Sequence, residues 1–417
     1  MKRKSHRLQP NKKVAGAPIQ GAPVEESLMP TPSVPTYRLK KLITIGFILA
    51  VILSVVVAIL RPFLRTFIFL SCALGILAIV AGIASLASNK LKWISIRIST
   101  RKLMLLGFSL LFALGLVEAG LRIFCAKKFS HPPEELSLLY DYDETLGWTP
   151  PKNTTRLYKG ANRTITVTHN SDGFRGPEPI ENGKPNVIFV GDSFVWGYDV
   201  EASERFTEKF QAKHPEWNVY NVGVCGYGTD QEYLLLQEVF EKYKPYMVIL
   251  IFCTDNDVED NSLNMRYGGF YKPYYSIEAA PNMKLNGVPV PRSEKVLRSE
   301  YPMLFGPYVT RALLRAYCKK TAPALVKQER NPTTLLLQYM RNLVFSKGAF
   351  FAMGVQDGSR FPELMDFLRR CGITHVELTT AEKYPGLGGH WTPEGHTFVC
   401  NQIDLLLQAA KEAGYKL

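Results

Sequence analysis

The sequence predicts an α/β domain, a three-layer parallel sheet with helices on both faces, carried behind three membrane-spanning segments. Three observations point to it. Short branched apolar runs alternate with segments of helical period from Asn186 to Ala413, the pattern of a parallel sheet covered on both sides. Three long apolar runs sit in the first third, Leu42 to Leu60, Thr66 to Ala87 and Leu103 to Phe124, each near the length that crosses a ~30 Å hydrocarbon core. The basic excess lies beside those runs and not on the α/β part.

Residues 1–36 are rich in Pro, Gly, Lys and Arg without apolar periodicity, which predicts a disordered cytoplasmic tail. Residues 37–124 form the membrane region. Its third run is interrupted near its end by Glu118 and Arg122, where a charge can still reach the headgroups. Of the net charge of +13, residues 1–41 supply nine Lys/Arg against two Glu, and residues 88–102 supply five more. By the positive-inside rule both basic segments face the cytoplasm, and three crossings put everything after Phe124 outside. No cleavable signal peptide is expected, because the first apolar run begins about 40 residues in and two more follow. Residues 125–417 are then an exported domain of nearly neutral charge, which excludes nucleic acid as a partner for that domain.

Within the exported part, residues 125–185 hold many Pro, Asn, Thr and Gly and read as an irregular lead-in with short strands. Strands follow at Asn186–Val190, Trp217–Val222, Met247–Phe252, Ala349–Val355 and Thr374–Leu378, with helices at Asp230–Tyr243, Pro362–Arg370 and Pro393–Ala413. Residues 258–346 interrupt the alternation as an insertion, with a Tyr-rich part (Tyr267, Tyr271, Tyr274, Tyr275) and a helical part around Val309 to Tyr317. In such sheets ligands sit beyond the carboxyl ends of the strands.

The chemistry-bearing residues fall at those ends. Gly191-Asp192-Ser193 follows the first strand, Asn221-Val222-Gly223-Val224-Cys225-Gly226 the second, and Thr254-Asp255-Asn256-Asp257 the third, while Gly389-His390 precedes the last helix. A hydroxyl, an imidazole and N–H donors on one edge are the parts acyl transfer needs. The elbow G-x-S-x-G is absent, since Val195 stands where its second Gly would be. Trp196 and Trp391 flank these positions as either pocket wall or core, and His396 reads as structural, as does Asp192, a loop-fixing residue. Seven Cys show no CxxC, and free buried thiols are expected.

Taken together, the four blocks resemble the GDSL/SGNH hydrolase superfamily, bacterial membrane-anchored type, over roughly residues 135–415. The runs Tyr142-Asp143 to Gly147-Trp148 and Asn170 to Gly176 are similar to the segment that precedes the first block in such members. The resemblance implies a flavodoxin-like three-layer sheet. It implies Ser193 as nucleophile, His390 as general base, and the Ser193 amide, Gly226 amide and Asn256 side chain as oxyanion donors, with no cofactor or metal. It implies a membrane-anchored esterase or acyltransferase acting on O-acyl or O-acetyl esters of envelope glycans or lipids.

One departure stands out. The family places an Asp two or three residues before the His, and this chain has Gly388 and Leu387 there. Either a backbone carbonyl holds the imidazole, or an acid comes from elsewhere (Asp255, Asp257, Glu382 or Glu394), or the domain is an inactive binding module. A further alternative makes the spans part of an acyl-transfer complex with a membrane acyltransferase partner.

Overall fold

The computed structural model describes residues 100–129, 139–279, 281–386 and 389–415. The first two expected spans, the cytoplasmic tail and most of the basic 88–102 loop lie outside these residues. The third coincides with helix α1 (Thr100–Phe124). Its stretch Leu105–Phe124 is long and apolar enough to cross a membrane by length and composition, and is the only such helix among the described residues. Leu105, Phe108, Phe112, Leu116 and Ile123 are exposed along it.

The lead-in folds into two antiparallel hairpins, β1 (Asp141–Asp143) with β2 (Gly147–Thr149), and β3 (Thr154–Lys159) with β4 (Thr164–His169). Strand β4 alternates exposed and buried residues, and Ile165, Val167 and His169 face inward. This is the period-2 signature of a half-buried antiparallel strand.

The core then runs β5 (Asn186–Gly191), α2 (Ser193–Trp196), α3 (Phe206–Lys213), β6 (Asn218–Asn221), α4 (Thr229–Tyr243) and β7 (Met247–Phe252). The inserted segment supplies two small hairpins, β8 (Met265–Arg266) with β9 (Phe270–Tyr271) and β10 (Tyr274–Ala279) with β11 (Asn282–Asn286). It also supplies helices α5 (Glu294–Glu300) and α6 (Tyr308–Thr321). Helix α7 (Thr333–Ser346) closes the segment but packs on the sheet, burying Leu336, Leu337, Met340 and Val344. It is the crossover helix from β7 to the next strand of the sheet, so the segment that departs from the alternation stops short of it. The chain ends with β12 (Phe350–Val355), α8 (Pro362–Arg370), β13 (Thr374–Glu377) and α9 (Pro393–Glu412).

Strands β6-β5-β7-β12-β13 form one parallel sheet in that order, the doubly wound order whose switch point lies between the first and third strands. The sheet is dry on both faces. Ile188, Val190, Val248, Leu250, Phe351 and Met353 join the cluster under α4, α7 and α8. Their alternates Val187, Phe189, Met247, Ile249, Phe350 and Ala352 pack against α3 and α9. Full burial of each such side chain contributes about 1.5–3 kcal/mol, which explains why these strands read as unbroken apolar runs.

The inserted segment is fastened to this core by charge. Lys272 Nζ meets the Asp230 carboxylate of α4 with both side chains fully buried, and also donates to the carbonyls of Asp260, Leu263 and Pro273. A second fastening joins α6 to α1. Glu118, buried on α1, accepts from Tyr308 N and Val309 N at 3.0 Å each, satisfying the first turn of α6, and pairs with Arg122 at 2.7 Å. A carboxylate facing an exposed helix N-terminus is favoured by the orphan N–H groups there.

Candidate active site

The turn after β5 carries Ser193 as the first residue of α2. Asp192 caps that helix, its Oδ1 accepting from Phe194 N at 2.9 Å. Two buried arginines hold the far end of the turn. Arg175 donates to the carbonyls of Gly197 (2.6 Å) and Val200 (2.7 Å), and Arg205 to that of Trp196 (3.2 Å). The loop after β6 is pinned to the same turn, because Val224 N donates to Gly191 O at 3.0 Å.

Ser193 Oγ lies 2.7 Å from His390 Nε2. The two residues are 197 apart in the chain, and loop closure brings them together. Lys383 and Trp391 form an antiparallel bridge, Tyr384 N donates to His390 O at 2.8 Å, and Gly389 approaches so closely that an added Cβ would sit 2.0 Å from Tyr384 O. The imidazole lies between two rings. Tyr198 stacks on it at 4.5 Å between centroids and 29°, and Phe194 tilts against it at 4.8 Å and 39°. Burial, and secondarily the nearby Lys383 cation, push its pKa down to about 4. The ring is therefore neutral at pH 7, and in its Nδ1–H tautomer Nε2 accepts the serine proton.

Among the described residues the other ring nitrogen has no hydrogen-bond partner, and the four carboxylates considered for it are engaged elsewhere or exposed. Asp255 accepts from Gln356 Nε2 at 3.1 Å and pairs with Arg360. Asp257 accepts from Cys253 N at 2.9 Å, Glu382 from Thr392 Oγ1 at 3.1 Å, and Glu394 is exposed. The arrangement is a hydroxyl–imidazole dyad.

Two backbone N–H groups, those of Ser193 and Gly226, have no partner among the described residues. Gly226 has φ +80°, a conformation that favours glycine. Its amide is oriented from behind. The carbonyl of the same peptide, Cys225 O, accepts from Tyr140 Oη at 2.8 Å and Trp148 Nε1 at 3.1 Å. In a trans peptide the N–H points opposite its C=O, so the two aromatic donors turn the Gly226 N–H away from the lead-in. Tyr267, from the turn between β8 and β9, packs directly on Gly226, its ring and hydroxyl 2.6 Å from where a Cβ would be. Asn256 is differently placed. Its Nδ2 donates to Asp260 (3.0 Å) and Asp257 (3.2 Å), and its Oδ1 accepts from the Cys253 thiol. Both amide hydrogens are thus committed to carboxylates, not offered to a substrate.

Behind the nucleophile lie Asp192, Glu232 and Asp257, all buried, each with its carboxyl pKa raised first by burial. Neither Glu232 oxygen has a hydrogen-bond partner among the described residues. Among the described residues no group of three His, Cys, Asp or Glu side chains is arranged to hold a metal. The six described cysteines are free. His396 is a core residue that accepts from Phe206 N at 3.3 Å. Trp196 and Trp391 are buried in the two core clusters.

The sequence reading missed Tyr140, Trp148, Tyr198 and Phe194. For the first two the only available signal was the aromatic pair bracketing a short hairpin. Tyr198 and Phe194 carry no signal in sequence, because their ring contacts depend on the fold of the distant 383–391 loop.

Chemically, the arrangement can move a proton from Ser193 to His390 while Oγ attacks a carbonyl carbon, with two amide hydrogens receiving the developing oxyanion. No protein-family model and no curated protein matches the sequence. The chain is similar to solved structures. One is a member of the lipolytic protein G-D-S-L family from Veillonella parvula (12% identity, 54% of this chain and 98% of that one, TM-score 0.31). Another is a GDSL-like lipase from Bacteroides thetaiotaomicron (13%, 56% and 92%, TM-score 0.28). A third is the psychrotrophic esterase EstA from Pseudoalteromonas sp., inhibited by monoethylphosphonate (10%, 55% and 100%, TM-score 0.32).

Proposed function

We propose that the chain is a serine ester hydrolase or acyltransferase of the GDSL/SGNH type, anchored in a membrane and acting on O-acyl esters of cell-envelope glycans or lipids. The observation that carries this reading is the 2.7 Å contact between Ser193 Oγ and His390 Nε2, beside the unpartnered N–H groups of Ser193 and Gly226. Oγ attacks the ester carbonyl, and His390 takes its proton. The oxyanion is held by the two amides. As the tetrahedral intermediate collapses, His390 returns the proton to the departing alcohol and an acyl-Ser193 ester remains. Water then attacks this ester with the same assistance and releases the acid. A sugar hydroxyl in place of water gives transfer. Asn256 supports the site by fixing Asp257 and Asp260, while Tyr140 and Trp148 act through the Cys225 carbonyl.

The apolar helix α1 supports membrane anchoring. With the basic 1–41 and 88–102 segments read as cytoplasmic, the catalytic domain lies on the outer side, where envelope esters are within its reach. The test is labelling by a fluorophosphonate serine probe. The wild-type chain becomes labelled and Ser193→Ala does not. That the second ring nitrogen of His390 has no partner among the described residues favours a second reading, a binding module without turnover, and equal absence of label in both proteins supports that reading.

A further inference from the structure

Lys383 is carried by the same segment as the base. Thr392 N donates to Glu382 O at 3.0 Å and Tyr384 N donates to His390 O at 2.8 Å, with the Lys383–Trp391 bridge between these two bonds. The Lys383 ammonium lies 5.8 Å from the centroid of the Phe194 ring, and that ring lies 4.8 Å from the imidazole of His390. Ammonium and imidazole are therefore at most the sum of these two distances apart, short enough for one substituted alcohol to touch both. Phe194 follows Ser193 at the end of β5. The other groups that act on Lys383 are Cys253, just past β7, and Asp357 and Arg360, past β12. The ammonium thus stands over the carboxyl ends of the central strands, where ligands of such sheets bind.

Among the described residues this ammonium has no hydrogen bond and no ion pair. The acids around it are engaged elsewhere. Asp357 accepts from Ser359 N at 3.2 Å and Ser359 Oγ at 2.5 Å, Asp255 pairs with Arg360, and Glu382 accepts from Thr392 Oγ1 at 3.1 Å. A half-buried cation without a counter-ion is unfavourable in itself. Here it also opposes the chemistry. His390 becomes a cation when it takes the Ser193 proton, a nearby like charge disfavours that, and Lys383 is the charge that acts on this ring. An anion on the substrate, paired with Lys383, offsets both effects.

The reaction itself says which part of the substrate carries that anion. The Ser193 and Gly226 amides serve the carbonyl oxygen, whereas His390 returns its proton to the departing alcohol. The alcohol therefore leaves beside His390, and Lys383 belongs to the segment that holds His390. We infer that Lys383 selects esters whose alcohol portion bears an anionic group, a carboxylate or a phosphate, which pairs with its ammonium while the ester carbonyl meets Ser193. This rests on the reading of Ser193 and His390 as the reacting pair. The test uses the full chain in detergent and three acetyl esters of one shape: meta-acetoxybenzoate, meta-acetoxyphenyl phosphate and the neutral meta-acetoxybenzamide. Release of the phenol gives kcat/KM for each, and the ratio of anionic to neutral ester is taken on one preparation, so the fraction of active protein cancels.

For at least one of the two anionic esters the wild-type ratio is expected to be about 10-fold or more, the effect of one charge-assisted contact. It should fall below about 2-fold in Lys383→Met, which keeps an unbranched chain against Phe194, and persist in Lys383→Arg. A higher ratio for the phosphate than for the carboxylate, or the reverse, supports the inference and names the anion. Equal kcat/KM for all three esters in the wild type overturns it without recourse to a variant, and so does a preference for the anionic esters that Lys383→Met retains. Fluorophosphonate labelling of Ser193 is scored on the same preparations. Absence of label together with no turnover of any ester strikes the functional reading, whereas labelled protein that cleaves the neutral and anionic esters equally strikes this inference alone.

Discussion

Tyr198 lies face to face with His390, ring centroids 4.5 Å apart and planes 29° from parallel. The stack is placed to fix the plane in which Nε2 meets Ser193. An aromatic pair contributes about 0.5–1.5 kcal/mol, equivalent to roughly 2–13-fold in rate. Tyr198→Ala should therefore lower kcat for a p-nitrophenyl ester by several-fold with KM little changed, against about 10²–10⁴-fold for His390→Ala. Steady-state kinetics with both variants decides it. A Tyr198→Ala enzyme with wild-type kcat would show that the stack does not hold the base.

The pH profile follows from the direction of the His390 shift. Its pKa is lowered to about 4, by burial first, and the neutral form is the base, so activity should stay level from pH 8 down to pH 5 and fall below about pH 4. Stability changes in an overlapping range. His169, also lowered to about 4 by burial, is neutral in the fold but protonates near 6.5 when unfolded, so the fold loses stability as pH falls from 6.5 toward 4. Rates should be read after brief acid jumps with tryptophan fluorescence as a check on folding. An activity midpoint near pH 6.5 with intact fluorescence would contradict the burial of the ring.

The two oxyanion assignments can be separated by a pair of substitutions. Tyr140→Phe removes one of the two donors on the Cys225 carbonyl and leaves the ring in place. It should reduce kcat, and the rate of phosphonate labelling in parallel, by about 10-fold, short of the ~10²–10³ for outright loss of a donor. KM should hold, since the lost interaction serves the transition state. Asn256→Ala should cost less than about 5-fold, because its amide serves Asp260 and Asp257. A loss of 100-fold at Asn256 would mean that the amide swings to the oxyanion during turnover.

Glu232 gives a stability prediction. Its carboxyl is raised well above the usual 4.5, by burial and then by Asp257 and Asp192. The folded state keeps a proton that the unfolded chain releases above pH 4.5, so stability falls as pH rises through this range. Glu232→Gln abolishes that titration. Thermal melts should show the variant gaining on the wild type between pH 5 and pH 9. A difference in midpoint that does not change with pH would refute the assignment.

The core strands and the Ser193, Gly226 and Asn256 positions are legible because each follows the end of a branched apolar run, and His390 because it stands just before the last helix, relations local to the sequence. Met247–Phe252 and Pro362–Arg370 match their predicted limits to the residue. What the sequence hides is tertiary. Helix α7 reads as part of the insertion because a 14-residue segment gives no sign in sequence of which layer it packs in. The commitment of the Asn256 amide depends on a backbone turn that folds Asp260 back upon it. The roles of Tyr140, Trp148 and Tyr198 depend on contacts across 85, 77 and about 190 residues of chain.

The buried pair of Asp230 and Lys272 has a bearing on how such chains can be recombined. One charge belongs to a helix of the doubly wound core and the other to the added segment, and removing either partner of a desolvated pair costs about 3–5 kcal/mol. Grafting that segment onto another core, or shuffling it between homologues, therefore carries a matching rule. A recipient without an acid at the equivalent of Asp230 would have a stranded ammonium in its interior, so these two positions must be inherited as a unit.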